Sequence, residues 1–234
     1  MYKKDSHTKF ICLIPARKGS IRLKNKNLKL FNKQPLIFWT VKCAEDAGLK
    51  DIYVFTNCNN IKKFAKNLNI SPLLTRPSHI SKSNTKMIET IKYFEKTLSK
   101  KNINFDALII LQPTSPLRKF SELKKAMKVF ADQKPDTLVS GIELEKKLDP
   151  SKFMLLNEKS FIKKFNPFKK NEIILRDGPS ILICSRNTIR NGKIYGKKTI
   201  GFKVSPDTFS DIDTEDEFTT AELISKLKKN EKIS

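Results

Sequence analysis

Three stretches of the chain carry residue types that could do chemistry together. The first is IPARKGSIRLKNK, residues 14–26, where Arg17, Lys18, Arg22, Lys24 and Lys26 crowd around Gly19 and Ser20. Cations at this density, beside the backbone amides near a glycine and a free hydroxyl, suit a ligand with several phosphates. The spacing matches neither G-x-x-x-x-G-K-[ST] nor G-x-G-x-x-G, so a solvated basic loop is the other reading. The second stretch is Asp211-Ile-Asp213. In extended backbone these carboxylates share a face, and Mg²⁺, which takes carboxylates, waters and substrate phosphates, would neutralise the pair. Alternatively, either Asp caps the acidic helix start at Glu215 and Asp216. The third is LQPTSPLR, residues 111–118, in which two prolines stiffen the backbone while Gln112, Thr114, Ser115 and Arg118 offer donors. His7 and His79 have no Ser, Cys or carboxylate partner at recognisable spacing, which gives a nucleophilic triad or a His-rich metal site little support.

The elements that must position these stretches read as strands alternating with helices. Residues 10–14 form a short apolar run that breaks at Pro15 into the basic loop, as a buried strand ending at a phosphate site would. Pro35 and Gly48 bracket a helix. Residues 51–56 (DIYVFT) read as a strand, followed by a helix capped within 57–60 and running to about 68. Ile88, Ile91, Phe94 and Leu98 mark the next helix, and residues 107–111 (ALIIL) a mid-sheet strand that feeds the proline loop. A helix capped by Ser121, a strand over 137–142, a returning strand over 180–184 and a final helix with an acidic first turn complete the pattern. Such alternation predicts a doubly wound, mostly parallel α/β sheet in one domain. Between 144 and 171 the alternation stops. Residues 153–156 and 161–165 flank a turn-like NEKS, which reads as an inserted β-hairpin arm covering its own sheet or packing on a second subunit.

The formal net charge of +23 invites a nucleic-acid reading, since lysine and arginine neutralising phosphates dominate that binding. The lysines are instead scattered along the whole chain without an RNA-recognition, zinc-finger or helix-turn-helix signature, so no nucleic-acid partner is expected and part of the charge would serve a small anionic substrate. Cys12, Cys43, Cys58 and Cys184 show no paired spacing, and reduced thiols follow. The first residues lack the apolar core of a signal peptide and no apolar run reaches membrane-spanning length. A cytoplasmic location without a membrane partner is the expectation.

Taken in order, IPARKGSIRLKNKNL, the TRP at residues 75–77, LQPTSPLR and SDIDTEDEF resemble the blocks of the acylneuraminate cytidylyltransferases, the CMP-sialic acid synthetase family. The likeness runs from about residue 10 to residue 225. It is similar also to the Kdo cytidylyltransferases, which share the IPAR and S-x-R-L opening, and to those for pseudaminic and legionaminic acid. The resemblance implies a Rossmann-like, glycosyltransferase-A-like nucleotidyltransferase, dimeric and Mg²⁺-dependent. It would use CTP to activate an acidic nine-carbon 2-keto sugar, releasing pyrophosphate. By matching motif, Arg17, Gly19, Ser20 and Lys26 would hold the triphosphate, with Asn27 and Arg76 near the cytidine. Gln112, Thr114 and Ser115 would face the sugar, and Asp211 with Asp213 would bind the metal, Asp211 acting in catalysis with Arg17 and Lys26. The chain departs from the family at three places. Asn57 stands where an Asp is usual, SHISKSNT lacks the Asp expected beyond Pro77, and RDGPSIL at 176–182 replaces a sugar-facing R-P-N-G-A-I-Y. Arg176 remains there as a partner for a sugar carboxylate.

Overall fold

A computed structural model of the chain describes residues 8–20, 22–70, 74–143, 154–156, 158, 162–164 and 175–230. β1 (Phe10–Pro15) is an interior strand of a seven-stranded sheet, and its residues from Ile11 onward are buried on both faces. α1 (Leu36–Asp46) carries the chain to β4 (Ile52–Thr56), after a small ribbon of β2 (Leu30–Phe31) and β3 (Gln34–Pro35). α2 (Asn59–Asn67) then leads to the short edge strand β5 (Leu74–Thr75). α3 (Met87–Lys100) crosses back, so that β6 (Ala107–Ile110) pairs with the other side of β1. α4 (Phe120–Gln133) and β7 (Thr137–Glu143) follow.

The sheet order is β11-β7-β10-β6-β1-β4-β5. The long β10 (Leu175–Ser185) is inserted antiparallel between β6 and β7, while every other pairing is parallel. The sheet is thus mostly parallel, as the alternation predicts, with one strand reversed. β11 (Thr199–Lys203), after the short α5 (Arg186–Arg190), was not anticipated from the sequence; its exposure alternates at the sheet edge, and its five residues carry little apolar signal. α6 (Glu215–Asn230) closes the fold.

The period of two along β1 sorts the core into two layers. Cys12 and Ile14 pack with Ile37, Val41 and Ala44 of α1, Ile61 and Ala65 of α2, and Leu123, Ala126 and Phe130 of α4. Ile11 and Leu13 pack on the opposite face with Ile91, Phe94 and Leu98 of α3 and Ile189 of α5. Helices therefore cover both faces. A third cluster, in which Leu23, Phe31 and Leu36 meet Ile212, Phe218 and Ala221, fastens α6 and the segment before it to the loop after β1.

The N-cap of α2, Cys58, falls within 57–60 as expected but caps with no side chain, whereas Lys119 rather than Ser121 occupies the N-cap of α4 and Ser121 lies inside the helix. In the 144–171 region, β8 (Met154–Leu156) and β9 (Ile162–Lys164) pair antiparallel with Leu155 opposite Lys163. The remainder of the expected arm, and any role in a dimer, lies outside the described residues.

Candidate active site

The order of β4, β5 and β6 around β1 creates a switch point, where the chain winds one way from β1 and then returns to its other side. At such a point the loops leaving adjacent strands separate and open a crevice at their carboxyl ends. The loop after β1 and the loop after β6 leave from adjacent strands in this way. Between them lies a cavity of about 340 Å³ lined by Arg17, Ser20, Arg22, Lys26, Asn27, Arg76, Lys82, Gln112, Thr114 and Asp213 among others. A further lobe of about 510 Å³ shares Arg17, Lys26, Gln112, Thr114 and Asp213 and adds Asp211.

The basic loop is shaped by its backbone. Gly19 adopts φ +82°, a conformation open to glycine at little cost, and its carbonyl accepts from Arg17 Nη1 at 2.7 Å. The amide of Lys18 donates to Asn57 Oδ1 at 2.7 Å. Asn57 thus keeps the acceptor oxygen that an Asp would offer at this position and drops only the charge. Asn27, 8% exposed, donates through Nδ2 to the Arg17 carbonyl at 3.3 Å, tying the two ends of the loop together.

Arg76 is buried beneath this loop. Nε donates to the Ile80 carbonyl at 2.9 Å and Nη2 to Thr90 Oγ1 at 2.9 Å, with Nη2 also on Ile80 O. Burial, and then the charge of Arg17 nearby, lower its pKa to about 10. Neither Arg17 nor Arg76 pairs with a carboxylate among the described residues. Two adjacent guanidinium groups without an anion, one of them buried, form a site where a phosphate is favoured.

An acidic wall faces these cations. Asp213 Oδ1 accepts from Lys26 Nζ at 2.7 Å and Oδ2 from Arg22 Nη2. Lys26 Nζ also donates to the Ile212 carbonyl at 2.6 Å. Thr214 and Glu217 fix this segment as a capping box: Glu217 Oε2 accepts from the amides of Asp213 at 2.7 Å and Thr214 at 2.9 Å, and Thr214 Oγ1 accepts from the Glu217 amide at 3.3 Å. Those amides, first that of Asp213, hold the Glu217 carboxyl below its usual range. The capping role weighed for the two aspartates therefore belongs to Thr214 and Glu217, which leaves Asp211 and Asp213 on the cavity wall.

Thr114 lines both lobes, and its buried Oγ1 has no hydrogen-bond partner among the described residues. The two carboxylates on the wall of this cation-rich cavity are a donor set that fits Mg²⁺ carried in on phosphates, since this ion takes only one or two protein carboxylates in such sites.

The remaining sequence candidates fall in different places. Gly19 borders a small niche behind the loop with Arg17, Ser20 and Asn27. Ser115 is fully buried and donates to the Ser210 carbonyl at 2.6 Å; it fastens the proline loop to the Asp211 segment and lines neither lobe. Arg176 belongs to β10, but its side chain lies outside the described residues. Lys82, Ser83 and Thr85 reach the cavity from SHISKSNT, and Ile194 and Tyr195 reach the second lobe from the loop after α5. Neither stretch carries a motif, and only their place after an Arg-Pro turn or a buried strand could have signalled them.

A family model described as cytidylyltransferase matches residues 11–232. An N-acylneuraminate cytidylyltransferase of Streptococcus agalactiae serotype V is 29% identical over 218 residues, covering 89% of this chain and 51% of that protein. The chain thus spans about half the length of this relative. A CMP-N,N'-diacetyllegionaminic acid synthase of Legionella pneumophila is 27% identical over 229 residues, 94% of this chain and 97% of that one. In fold, the chain is similar to a solved CMP:2-keto-3-deoxy-manno-octonic acid synthetase complexed with CTP, with a TM-score of 0.69 at 15% identity, covering 94% of this chain and 100% of the other. The match over nearly the whole sequence falls on the strands and loops that build the cavity, and on that ground the chain belongs to the cytidylyltransferase family.

Proposed function

We propose that this protein transfers the cytidylyl group of CTP to the anomeric hydroxyl of a nonulosonic 2-keto sugar acid, forming the CMP-sugar and pyrophosphate with Mg²⁺. The observation that carries the reading is the division of one cavity. Arg17, Arg22, Lys26, Arg76 and Lys82 face the carboxylate of Asp213 in the first lobe. The second lobe shares Arg17, Lys26 and Asp213 at its border with the first and adds Asp211, Tyr195 and the apolar side chains of Val139, Leu182 and Ile194 beside Gln112 and Thr114. A polyanion suits the first, and a sugar that mixes hydroxyl and acyl groups suits the second.

In this arrangement Arg17, Ser20 and Lys26 hold the triphosphate, and Asn27 and Arg76 border the nucleoside end. Phosphoryl-type transfer needs in-line positioning and neutralised charge more than covalent help, and the cations here are already fixed by their own hydrogen bonds. Asp211 and Asp213 would hold Mg²⁺. When bound, that ion polarises a phosphoryl oxygen and offsets the charge of the leaving pyrophosphate. Gln112 and Thr114 orient the attacking sugar. The apolar patch of Val139, Leu182 and Ile194 gives an N-acyl group of the sugar a surface to pack on.

The test is pyrophosphate release with CTP and Mg²⁺ against N-acetylneuraminate, N,N'-diacetyllegionaminate, pseudaminate and Kdo. Metal-dependent turnover with one of the first three is expected. Turnover with Kdo alone would move the acceptor to the eight-carbon sugars, and CTP binding without turnover of any of the four would overturn the reading.

A further inference from the structure

Arg118 takes no part in the cavity lining, yet it is 5% exposed and makes no ion pair among the described residues. A buried cation without a carboxylate is costly unless its donors are well used. Nη2 donates to the Gln112 carbonyl at 2.9 Å, Nε donates to the Ser180 carbonyl, and Nη1 lies 3.5 Å from Thr40 Oγ1 of α1. The fork thus joins two segments just beyond Leu182–Ile110, the last pair of the β10–β6 ladder.

Both segments border the second lobe. Gln112 begins the proline loop after β6. Ser180 lies where β10 slips register against β7, between the pairs Asp177–Gly141 and Leu182–Val139, and Leu182 lines the lobe. A slip of this kind takes a strand's backbone groups out of regular pairing. At this slip Ser140 Oγ accepts from the Ile181 amide at 2.8 Å, and Arg118 takes the Ser180 carbonyl. Pro179 has no amide to restore the ladder. The planar guanidinium reaches two carbonyls at once, a geometry that a lysine ammonium on a single stem does not reproduce.

We infer that Arg118 is a positioning residue for the acceptor half of the cavity: past the end of the β10–β6 ladder it staples the irregular Ser180 stretch of β10 to the Gln112 loop and so fixes the path by which Gln112 enters the second lobe. The inference rests on the cytidylyl-transfer reading for its kinetic consequence only; the stapling itself does not depend on which sugar is used.

The experiment compares wild type with Arg118→Lys and Arg118→Met in three readouts. In Arg118→Lys, KM for the sugar acid should rise about tenfold or more, the scale expected when a positioned group shifts by a fraction of an ångström. Kd for CTP, measured by calorimetry without sugar, should stay within about twofold, because Arg17, Ser20 and Lys26 follow β1 and Arg76 follows β5, away from the Arg118 contacts. Amide exchange should rise about tenfold in peptides spanning 111–117 and 180–183 and remain unchanged in β1 and α3. Equal losses for CTP and sugar, or faster exchange throughout, would reduce Arg118 to a general core residue and overturn the inference, as would an unchanged sugar KM. If Arg118→Met does not fold, Arg118→Lys alone decides. A wild type that turns over no sugar acid would sink the proposed function, and the exchange comparison would still decide whether Arg118 staples the two segments.

Discussion

Asp213 serves two neighbours at once. Its carboxylate receives Lys26 and Arg22, and it stands beside Asp211 where a metal would sit. Asp213→Asn keeps the shape of the side chain but removes the charge that both cations and a metal answer to. Turnover at saturating CTP should fall by about a hundredfold or more, the scale of losing one preorganised electrostatic group, and the Mg²⁺ concentration for half-maximal rate should rise. Retained turnover at ordinary Mg²⁺ would place the metal elsewhere. At this scale the sequence marks the right neighbourhood more surely than the orientation within it. The proline loop offers Gln112, Thr114, Ser115 and Arg118 as donors, and only the folded chain shows that Ser115 and Arg118 turn inward as ties while Gln112 and Thr114 line the cavity. A loop fixed by prolines has no period from which facing can be read.

Between residue and molecule, the junction of α3 and α5 carries the clearest stability consequence. Glu95, 4% exposed, accepts from Arg186 Nε at 2.9 Å, from Arg190 Nε at 2.9 Å and from Ser99 Oγ at 2.8 Å. Burial raises its pKa, but the bonds from Arg186, Ser99 and Arg190 outweigh that and hold the carboxyl below its usual range. A depressed carboxyl stabilises the fold above its unfolded pKa of about 4.3 and loses that contribution as pH falls through the folded value. Glu95→Gln should therefore cost about 3 kcal/mol at pH 7 in urea unfolding, and the difference from wild type should close below about pH 4. A gap independent of pH would mean that packing, not charge, holds the junction. Legibility also varies among the elements. Pro35 and Gly48 frame α1 from the sequence, and Gly48 does adopt φ +87°. The reversal of β10 could not be read, because a strand buried between two others shows the same apolar run in either direction.

For the molecule as a whole, a net charge of +23 surrounds a cavity whose own walls are mainly cationic. Such a field raises the local concentration of a polyanion and is screened over about 10 Å at 0.1 M salt. Raising KCl from about 50 to about 250 mM should increase KM for CTP several-fold while leaving kcat and the sugar KM much less affected; steady-state kinetics at fixed free Mg²⁺ would check this, and parallel rises in both KM values would point to a salt effect on the fold. The sheet itself has one more consequence. The chain leaves β7 at Glu143 and re-enters β10 at Leu175, residues that face each other in the ladder. A stem closed at its base imposes no length on what it holds, so residues 144–174 can be lengthened or trimmed without displacing a strand of the seven-stranded sheet. The side of the sheet that carries the second lobe, at β7 and β10, is open to revision by insertion, while the side strung along consecutive crossovers from β1 is not.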